Sequence, residues 1–319
     1  MKSVGGIVFF GICDKMMSTQ TAKEIIMKYQ DGFYTALGTP LDDEGNIIEA
    51  SLRAHIKQQI SAGASGLLLM GSMGIEAYLK NSTSAEVVRI AENEVAGKLP
   101  LFVGAMDTSV ARVMEKIALI GKDKKIDGIV LTNSYYATMT EPQMVNWYKT
   151  IADKSPYPVF LYDLAYVTKS KITISVIDKI ISHPNIKGIK TADWELIHAI
   201  GRKYPDKDFS CLYSGLDSFD YANMMGIKKN LDGMFTCTPK NGTAMFAALK
   251  NNDYKLARVH LDNILLMRNT MIANDLMPCF TYCMNLIGFE GNFHQDYCLP
   301  LSAEVKNTLL ETMKKIGEI

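Results

Sequence analysis

The sequence predicts an α/β fold, a (β/α)8 TIM barrel with a C-terminal helical extension, on three observations. From about Gly32 onward, short apolar runs rich in β-branched residues alternate with longer stretches of helical period. Eight strand–helix pairs follow one another before the alternation stops near Asn252. The chain has 319 residues, of which 48% are hydrophobic, and a chain of this size can enclose one barrel core.

The elements follow in chain order, each strand a short apolar run and each helix a longer amphipathic stretch. The predicted strands are residues 33–37, 66–70, 101–104, 128–132, 159–162, 186–190, 210–214 and 233–236. The predicted helices that follow them are residues 49–61, 84–95, 110–120, 141–153, 174–181, 194–203, 219–225 and 241–250. In such a barrel the active site lies at the carboxyl ends of the strands, so the residues that end each strand are the candidates for function.

Both ends of the chain fall outside the barrel, which we assign to residues 31–252. Residues 253–319 have a helical pattern, with predicted helices at 254–274, 278–286 and 303–315. Their amphipathic faces are expected to pack on the barrel and to support contacts between subunits. Residues 1–30 form an N-terminal extension. Its apolar run, residues 4–12, is too short to span a bilayer and precedes no small-residue cleavage site, so we predict a cytoplasmic protein.

The composition indicates a small-molecule partner. Lysine plus arginine (34) balance aspartate plus glutamate (34), so no net field favours nucleic acid or an anionic membrane. The six cysteines show neither metal-ligand spacing nor a dense disulfide framework, which is typical of reduced thiols in a cytosol. The five histidines are scattered, and we predict no metal site.

Lys190 ends the predicted sixth strand, the run Ile-Lys-Gly-Ile-Lys at 186–190. A lysine inside a packed barrel loses hydration, which disfavours the ammonium form and makes a neutral amine available for attack on a carbonyl. We therefore predict that Lys190 is a Schiff-base nucleophile. The alternative is a solvated lysine just past a strand end.

Three other strand ends carry groups that suit chemistry on a carbonyl compound. The second strand leads into Gly-Ser-Met-Gly at 71–74, whose consecutive N–H groups and hydroxyl suit a carboxylate. A tyrosine pair, residues 135–136, follows the fourth strand, and the fifth ends at Tyr162 and Asp163. We interpret Tyr162 and Ser72 as a proton relay beside the imine, and Asp163 as a supporting residue.

These segments resemble the N-acetylneuraminate lyase and dihydrodipicolinate synthase family of class I Schiff-base lyases. The similarity extends from about Asp31 to the C-terminus. The matching segments are 39–46 (Thr-Pro-Leu-Asp-Asp-Glu-Gly-Asn), 71–74 (Gly-Ser-Met-Gly), 135–136 (Tyr-Tyr), 162–165 (Tyr-Asp-Leu-Ala), 188–192 (Gly-Ile-Lys-Thr-Ala) and 214–217 (Ser-Gly-Leu-Asp). The turn after the first strand and the lysine segment are the most specific of them.

The resemblance implies a covalent mechanism with no cofactor and no metal. Lys190 would form an imine with pyruvate or another 2-keto acid, and Tyr162 would shuttle protons. Ser72 and the backbone of Met73 would bind the carboxylate of the keto acid. Tyr136 would complete a relay across a subunit contact, which implies a homo-oligomer, a tetramer or a dimer.

The segments that would contact the second substrate depart from the family pattern. Val167 stands where dihydrodipicolinate synthases have an arginine for the aldehyde's carboxylate, and a valine cannot make that charge-assisted contact. Cys237 stands where N-acetylneuraminate lyases use a strand-8 serine. Gly215 and Asp217 are retained, and Asp217 is a candidate for binding a polyol hydroxyl.

The leading hypothesis is a Schiff-base lyase or aldolase that makes or breaks a C–C bond next to pyruvate or another 2-keto acid. The second substrate would be an aldehyde or a sugar-derived compound other than aspartate semialdehyde or a sialic acid. One alternative is a dehydratase that acts on a keto-deoxy sugar acid through the same imine. Another is a barrel that binds a keto acid as a sensor or structural partner. The retained Lys190 and Tyr162 argue against the sensor, since binding alone needs neither a nucleophile nor a relay.

Overall fold

The structure, a computed structural model, describes residues 29–319. Eight parallel strands close into a barrel in chain order, as predicted. They are β1 (Gly32–Ala36), β2 (Gly66–Leu69), β3 (Leu101–Gly104), β4 (Gly128–Thr132), β5 (Val159–Asp163), β6 (Ile186–Thr191), β7 (Ser210–Tyr213) and β8 (Lys229–Asp232). The predicted N-terminal extension, with its apolar run at 4–12, lies outside the described residues apart from residues 29 and 30.

Helices follow the strands and cover the barrel. They are α1 (Glu49–Ser61), α2 (Asn81–Val95), α3 (Val110–Ile120), α4 (Glu141–Lys154), α5 (Ala165–Thr168), α6 (Ile174–Ile180), α7 (Trp194–Lys203), α8 (Phe219–Met224) and α9 (Pro239–Lys250), and in the C-terminal extension α10 (Tyr254–Ile272), α11 (Leu276–Leu286) and α12 (Ala303–Lys315). Helix α5 and the 3-10 turns Glu76–Tyr78 and Met234–Thr236 are absent from the sequence prediction. In the part of the chain that the structure describes, no helix is long and apolar enough to cross a membrane.

The prediction is wrong for the eighth strand. The strand is Lys229–Asp232, and the apolar run that was assigned to it, residues 233–236, instead enters a 3-10 turn. β8 pairs with β1 through Phe33 with Asn230 and Tyr34 with Leu231. β8 contains two polar residues and one lysine and therefore is not an apolar run. A search for hydrophobic runs does not find such a strand, because its backbone pairing leaves no hydrophobic pattern.

Aromatic rings fill the interior of the barrel and orient the residues above them. The rings are those of Tyr34, Phe102 and Phe160, with successive centres 6.3 and 4.9 Å apart. Gly188 on β6 makes room for them, because a Cβ at this position would lie 2.6 Å from the Phe160 ring. Side chains alternate along a strand, so Tyr162 and Lys190, two residues after Phe160 and Gly188, face the same interior nearer the carboxyl end.

The C-terminal extension packs against the barrel's last helices. Residues Asp31–Ile319 form one compact unit. At the end of the chain, the Glu318 carboxylate accepts hydrogen bonds from the Asn241 backbone N–H at 2.9 Å and from its side-chain amide at 2.7 Å. These bonds tie the C-terminus to the first turn of α9.

Candidate active site

Lys190 lies on β6, inside the carboxyl end of the barrel. Its side chain is only 6% exposed, and its Nζ lies 3.9 Å from the centre of the Tyr162 ring. The two residues are register partners on neighbouring strands β5 and β6. The backbone pairing of two strands therefore fixes the amine over the ring of the predicted proton shuttle.

The turn after β2 brings Ser72 to the same place. The Ser72 hydroxyl donates to the Tyr162 hydroxyl across 3.5 Å, a long contact that leaves space for a substrate group to compete. The turn is tight, since a Cβ at Gly74 would lie 2.9 Å from the Leu37 carbonyl oxygen. Thr39, from the turn after β1, donates to the Gly74 carbonyl at 2.8 Å and so ties the two turns together.

Two residues of this turn have left-handed backbone angles. Met70 has φ 51° and Ile75 has φ 48°, and neither is a glycine. Such conformations cost about 1–3 kcal/mol each and persist where the surrounding structure imposes them. The strain is therefore consistent with a turn held in shape for binding.

Met73, the residue after Ser72, packs across the barrel mouth. A Cβ at Gly233 would lie 2.5 Å from Met73 Cγ, so the thioether side chain fills the space above the end of β8. Its side chain offers no hydroxyl to a carboxylate, and the N–H is the group that remains for this role.

A charged network supports the ends of β5 and β6. The Asp163 carboxylate accepts from the Thr191 hydroxyl at 2.8 Å and pairs with Lys171. Lys171 Nζ also lies 2.9 Å from the carboxylate of Asp193. Burial disfavours the charged form of Lys171, but the two carboxylates outweigh burial and raise its pKa. Asp163 thus has the supporting role that its sequence position suggests, while sequence reasoning missed Lys171 and Asp193.

A second network lies behind the turn after β2 and was also missed. Lys116 Nζ donates to Glu76 at 2.6 Å and lies 3.3 Å from the Asp107 carboxylate. Burial raises the pKa of Glu76 to about 7, although Lys116 acts in the opposite direction. Burial and the charges of Asp107 and Glu76 raise the pKa of Tyr135 to about 12. Tyr135 is therefore a neutral, packed phenol.

An open cavity of about 470 Å³ gives access to the amine. It is lined by Lys190 and Tyr162, by Ala165 and Tyr166 at the rim, and by Asp232 at the end of β8. A larger cavity, of about 640 Å³, lies at the opposite end of the barrel beside Gly32 and Lys228. The smaller cavity is the candidate active site, because it contains the buried amine at the strand ends where barrel enzymes act.

Val167, Tyr136 and Asp217 are not among the residues that line this cavity. Val167 is 38% exposed on α5, next to the rim residue Tyr166, and Tyr136 is 91% exposed. Asp217 binds Arg268 through both carboxylate oxygens, at 2.7 and 2.6 Å, and this pairing lowers the pKa of Asp217. An aspartate with both oxygens engaged is less free to bind a polyol than the sequence suggests.

Gly215 and Cys237 are held by local packing. A Cβ at Gly215 would lie 2.3 Å from the Tyr213 hydroxyl oxygen, so the position admits only glycine without rearrangement. Cys237 is fully buried, its thiol lies 3.5 Å from the Met234 carbonyl oxygen, and burial raises its pKa well above the ordinary value. Its role as a substrate-binding residue is an untested prediction. Among the described residues, no group of three or more potential ligands forms a metal site.

Comparisons with known proteins give a consistent result. The model of the dihydrodipicolinate synthetase family matches residues 30–316. The 4-hydroxy-tetrahydrodipicolinate synthase of Acidiphilium cryptum is 24% identical over 290 residues, covering 90% of this chain and 98% of the relative. YagE, a prophage protein of the dihydrodipicolinic acid synthase family from E. coli K12 solved in complex with pyruvate, superposes with a TM-score of 0.81 at 22% identity, covering 90% of this chain and 98% of that one.

A structure with a different bound compound has the same fold. CdNal from Clostridium difficile, in complex with mannosamine, superposes with a TM-score of 0.81 at 20% identity, covering 90% of this chain and 99% of that one.

Proposed function

Because the chain belongs to the dihydrodipicolinate synthetase family, we propose that it is a Schiff-base lyase or aldolase with Lys190 as its nucleophile. It makes or breaks a C–C bond next to pyruvate or another 2-keto acid, and its second substrate is an aldehyde or a sugar-derived compound. The proposal includes a cytoplasmic location and a covalent imine that needs no resident cofactor or metal.

The position of the Lys190 amine carries this proposal. The amine is buried, lies 3.9 Å from the centre of the Tyr162 ring, and opens into a solvent-accessible cavity. A structural lysine in a barrel core would be expected to pair with a carboxylate. Among residues 29–319, no ion pair within 4.0 Å involves Lys190, so its amine is left for a substrate.

In the proposed mechanism each group has one task. The neutral amine of Lys190 adds to the C2 carbonyl of the keto acid, and the resulting carbinolamine takes up a proton at its hydroxyl and loses water to give an iminium. The iminium accepts the electron pair that is released when a C3 proton leaves or a C3–C4 bond breaks. Tyr162 lies close enough to carry protons to and from these atoms, and Ser72 links its hydroxyl to the turn that receives the carboxylate.

Proton exchange tests the proposal without the second substrate. The protein is incubated with pyruvate in D2O, and the methyl signal is followed by proton NMR. Formation of an enamine replaces C3 protons by deuterons, so the signal is expected to decay at a rate proportional to enzyme concentration. Decay at the rate of the enzyme-free sample would support a barrel that only binds keto acids.

We predict poor use of aspartate semialdehyde, because this chain has Val167 where dihydrodipicolinate synthases have an arginine. A lost charged hydrogen bond costs about 1.5–3 kcal/mol, equivalent to roughly 10–150-fold in rate. The exposed position of Val167 on α5 leaves room for a longer side chain, so Val167→Arg is expected to recover part of this activity. Condensation of pyruvate with the semialdehyde is measured for both proteins. Efficient condensation by the unmodified enzyme would refute this prediction.

From the exposed position of Tyr136 we predict an oligomer in which Tyr136 of one subunit contributes to the active site of its neighbour. In the single chain it is 91% exposed in the loop after β4, where an exposed ring suits an interface. We expect a tetramer or dimer in sedimentation at micromolar concentration, and a slower Tyr136→Phe enzyme, by about tenfold or more. Tyr254→Phe, at the start of α10, is the matched control and should keep the native rate. A fully active monomer, with Tyr136→Phe unchanged, would contradict the prediction.

A further inference from the structure

Asp232 is an acidic residue of the cavity that the mechanism has not used. It ends β8, two strands from Lys190, and lines the same cavity as Lys190, Tyr162 and Ser214. Its Oδ1 accepts the Met234 N–H at 2.8 Å, which fixes the carboxylate at the start of the 3-10 turn. One side-chain oxygen is thereby engaged and the group is held in place at the cavity wall.

The other charges of the cavity are already paired. On the side of β5 and β6, Lys171 binds both Asp163 and Asp193. Outside the lining residues, Arg268, whose charge also acts on Asp232, binds Asp217 through two guanidinium nitrogens. The remaining titratable groups that line the cavity are the phenols of Tyr162 and Tyr166.

Lys190 and Asp232 are thus the two charged groups of the cavity left without a direct ion pair among residues 29–319. Burial raises the pKa of Asp232, and the positive charges of Lys190 and Arg268 act in the opposite direction. Since Arg268 is shared with Asp217, Lys190 is the cation whose charge Asp232 is free to balance.

We propose, on the basis of the proposed function, that Asp232 is the counter-charge of the Lys190 nitrogen during catalysis. This nitrogen is positive as the resting ammonium and again as the iminium that forms when the carbinolamine is protonated and loses water. It is neutral as the attacking amine. A carboxylate across the cavity stabilises both positive forms and leaves the neutral one unaffected, so Asp232 sets the pH range of attack and the population of the iminium.

Asp232→Asn tests this role, because an asparagine oxygen still accepts the Met234 N–H. The rate of borohydride-trapped adduct formation with pyruvate is measured against pH. Loss of the negative charge is expected to move the midpoint of this profile down by about one pH unit. At a pH above the midpoints of both the native and the Asp232→Asn protein, the pyruvate concentration that gives half-maximal adduct should be about tenfold higher for the variant.

Two further variants make the test decisive. Asp208→Asn, which removes a carboxylate paired with Lys187 at 2.6 Å before β7, should leave the midpoint in place. Asp232→Ser keeps an acceptor oxygen and should reproduce the shift if the asparagine variant folds poorly. Folded Asp232 variants with an unchanged midpoint overturn this inference alone. A native protein that forms no adduct at any pH overturns the proposed function with it.

Discussion

Replacement of Lys190 by alanine is expected to abolish both the reducible adduct with pyruvate and the exchange of its methyl protons. The amine is the atom that forms the imine, so no neighbouring group substitutes for it. The side chain is buried over Tyr162 and has no ion pair within 4.0 Å among the described residues, so its removal breaks no direct salt bridge and leaves only Asp232, across the cavity, without its counter-charge. We therefore expect a cost of only about 1–2 kcal/mol in the free energy of unfolding. Mass spectrometry after borohydride treatment and thermal unfolding measure the two effects.

Lys187 provides the control on the same strand. It is the second residue of β6, partly exposed, and its Nζ pairs with Asp208 at 2.6 Å. Lys187→Ala should form the adduct as the native protein does. A Lys190→Ala protein that still gave an adduct of native yield would show that the nucleophile lies elsewhere.

Replacement of Tyr162 by phenylalanine is expected to slow proton exchange by about 10²–10⁴-fold while the keto acid still binds. The ring under the Lys190 amine is retained, and only the hydroxyl that contacts Ser72 is lost. The borohydride adduct should therefore form, more slowly, whereas the NMR methyl signal should persist. The separation of adduct yield from exchange rate distinguishes a proton shuttle from a packing residue.

Tyr148 is a buried tyrosine of α4 that does not line the cavity. Its hydroxyl lies 3.4 Å from the Leu131 carbonyl oxygen, on the helix side of β4. Tyr148→Phe should reduce stability slightly and leave exchange unchanged. Equal exchange rates in the native and Tyr162→Phe enzymes would remove Tyr162 from the mechanism.

The barrel was predictable because its strands and helices obey one simple rule each. Seven strands are apolar runs, and the helices repeat apolar residues at the helical period. β8 breaks the rule, since its Asn230 is fully buried and its pairing depends on backbone hydrogen bonds. The apolar run after it fills the 3-10 turn Met234–Thr236, so the prediction was displaced by four residues.

The positions of Lys190 and Tyr162 were predictable for a related reason. Each is the second-last residue of its strand, and the side-chain alternation that buries Gly188 and Phe160 below them determines the face on which they lie. The supporting charges follow no such rule. Lys171 reaches Asp163 and Asp193 from a loop, and a contact of this kind depends on three-dimensional packing.

Asp232 escaped prediction because an aspartate before a glycine is typical of a turn. The sequence contains no signal that this turn opens into the cavity of Lys190. The resemblance places Val167 and Cys237 at substrate positions, and these roles stay predictions. Val167 is partly exposed on α5 beside Tyr166, and Cys237 is buried.

Reduction of the complex with pyruvate tests the nucleophile most directly. The native protein is treated with pyruvate and borohydride, its intact mass is measured, and the modified peptide is sequenced. We predict one adduct per chain, located on Lys190. No adduct, or an adduct on Lys171, the other lysine of the cavity, would contradict the assignment.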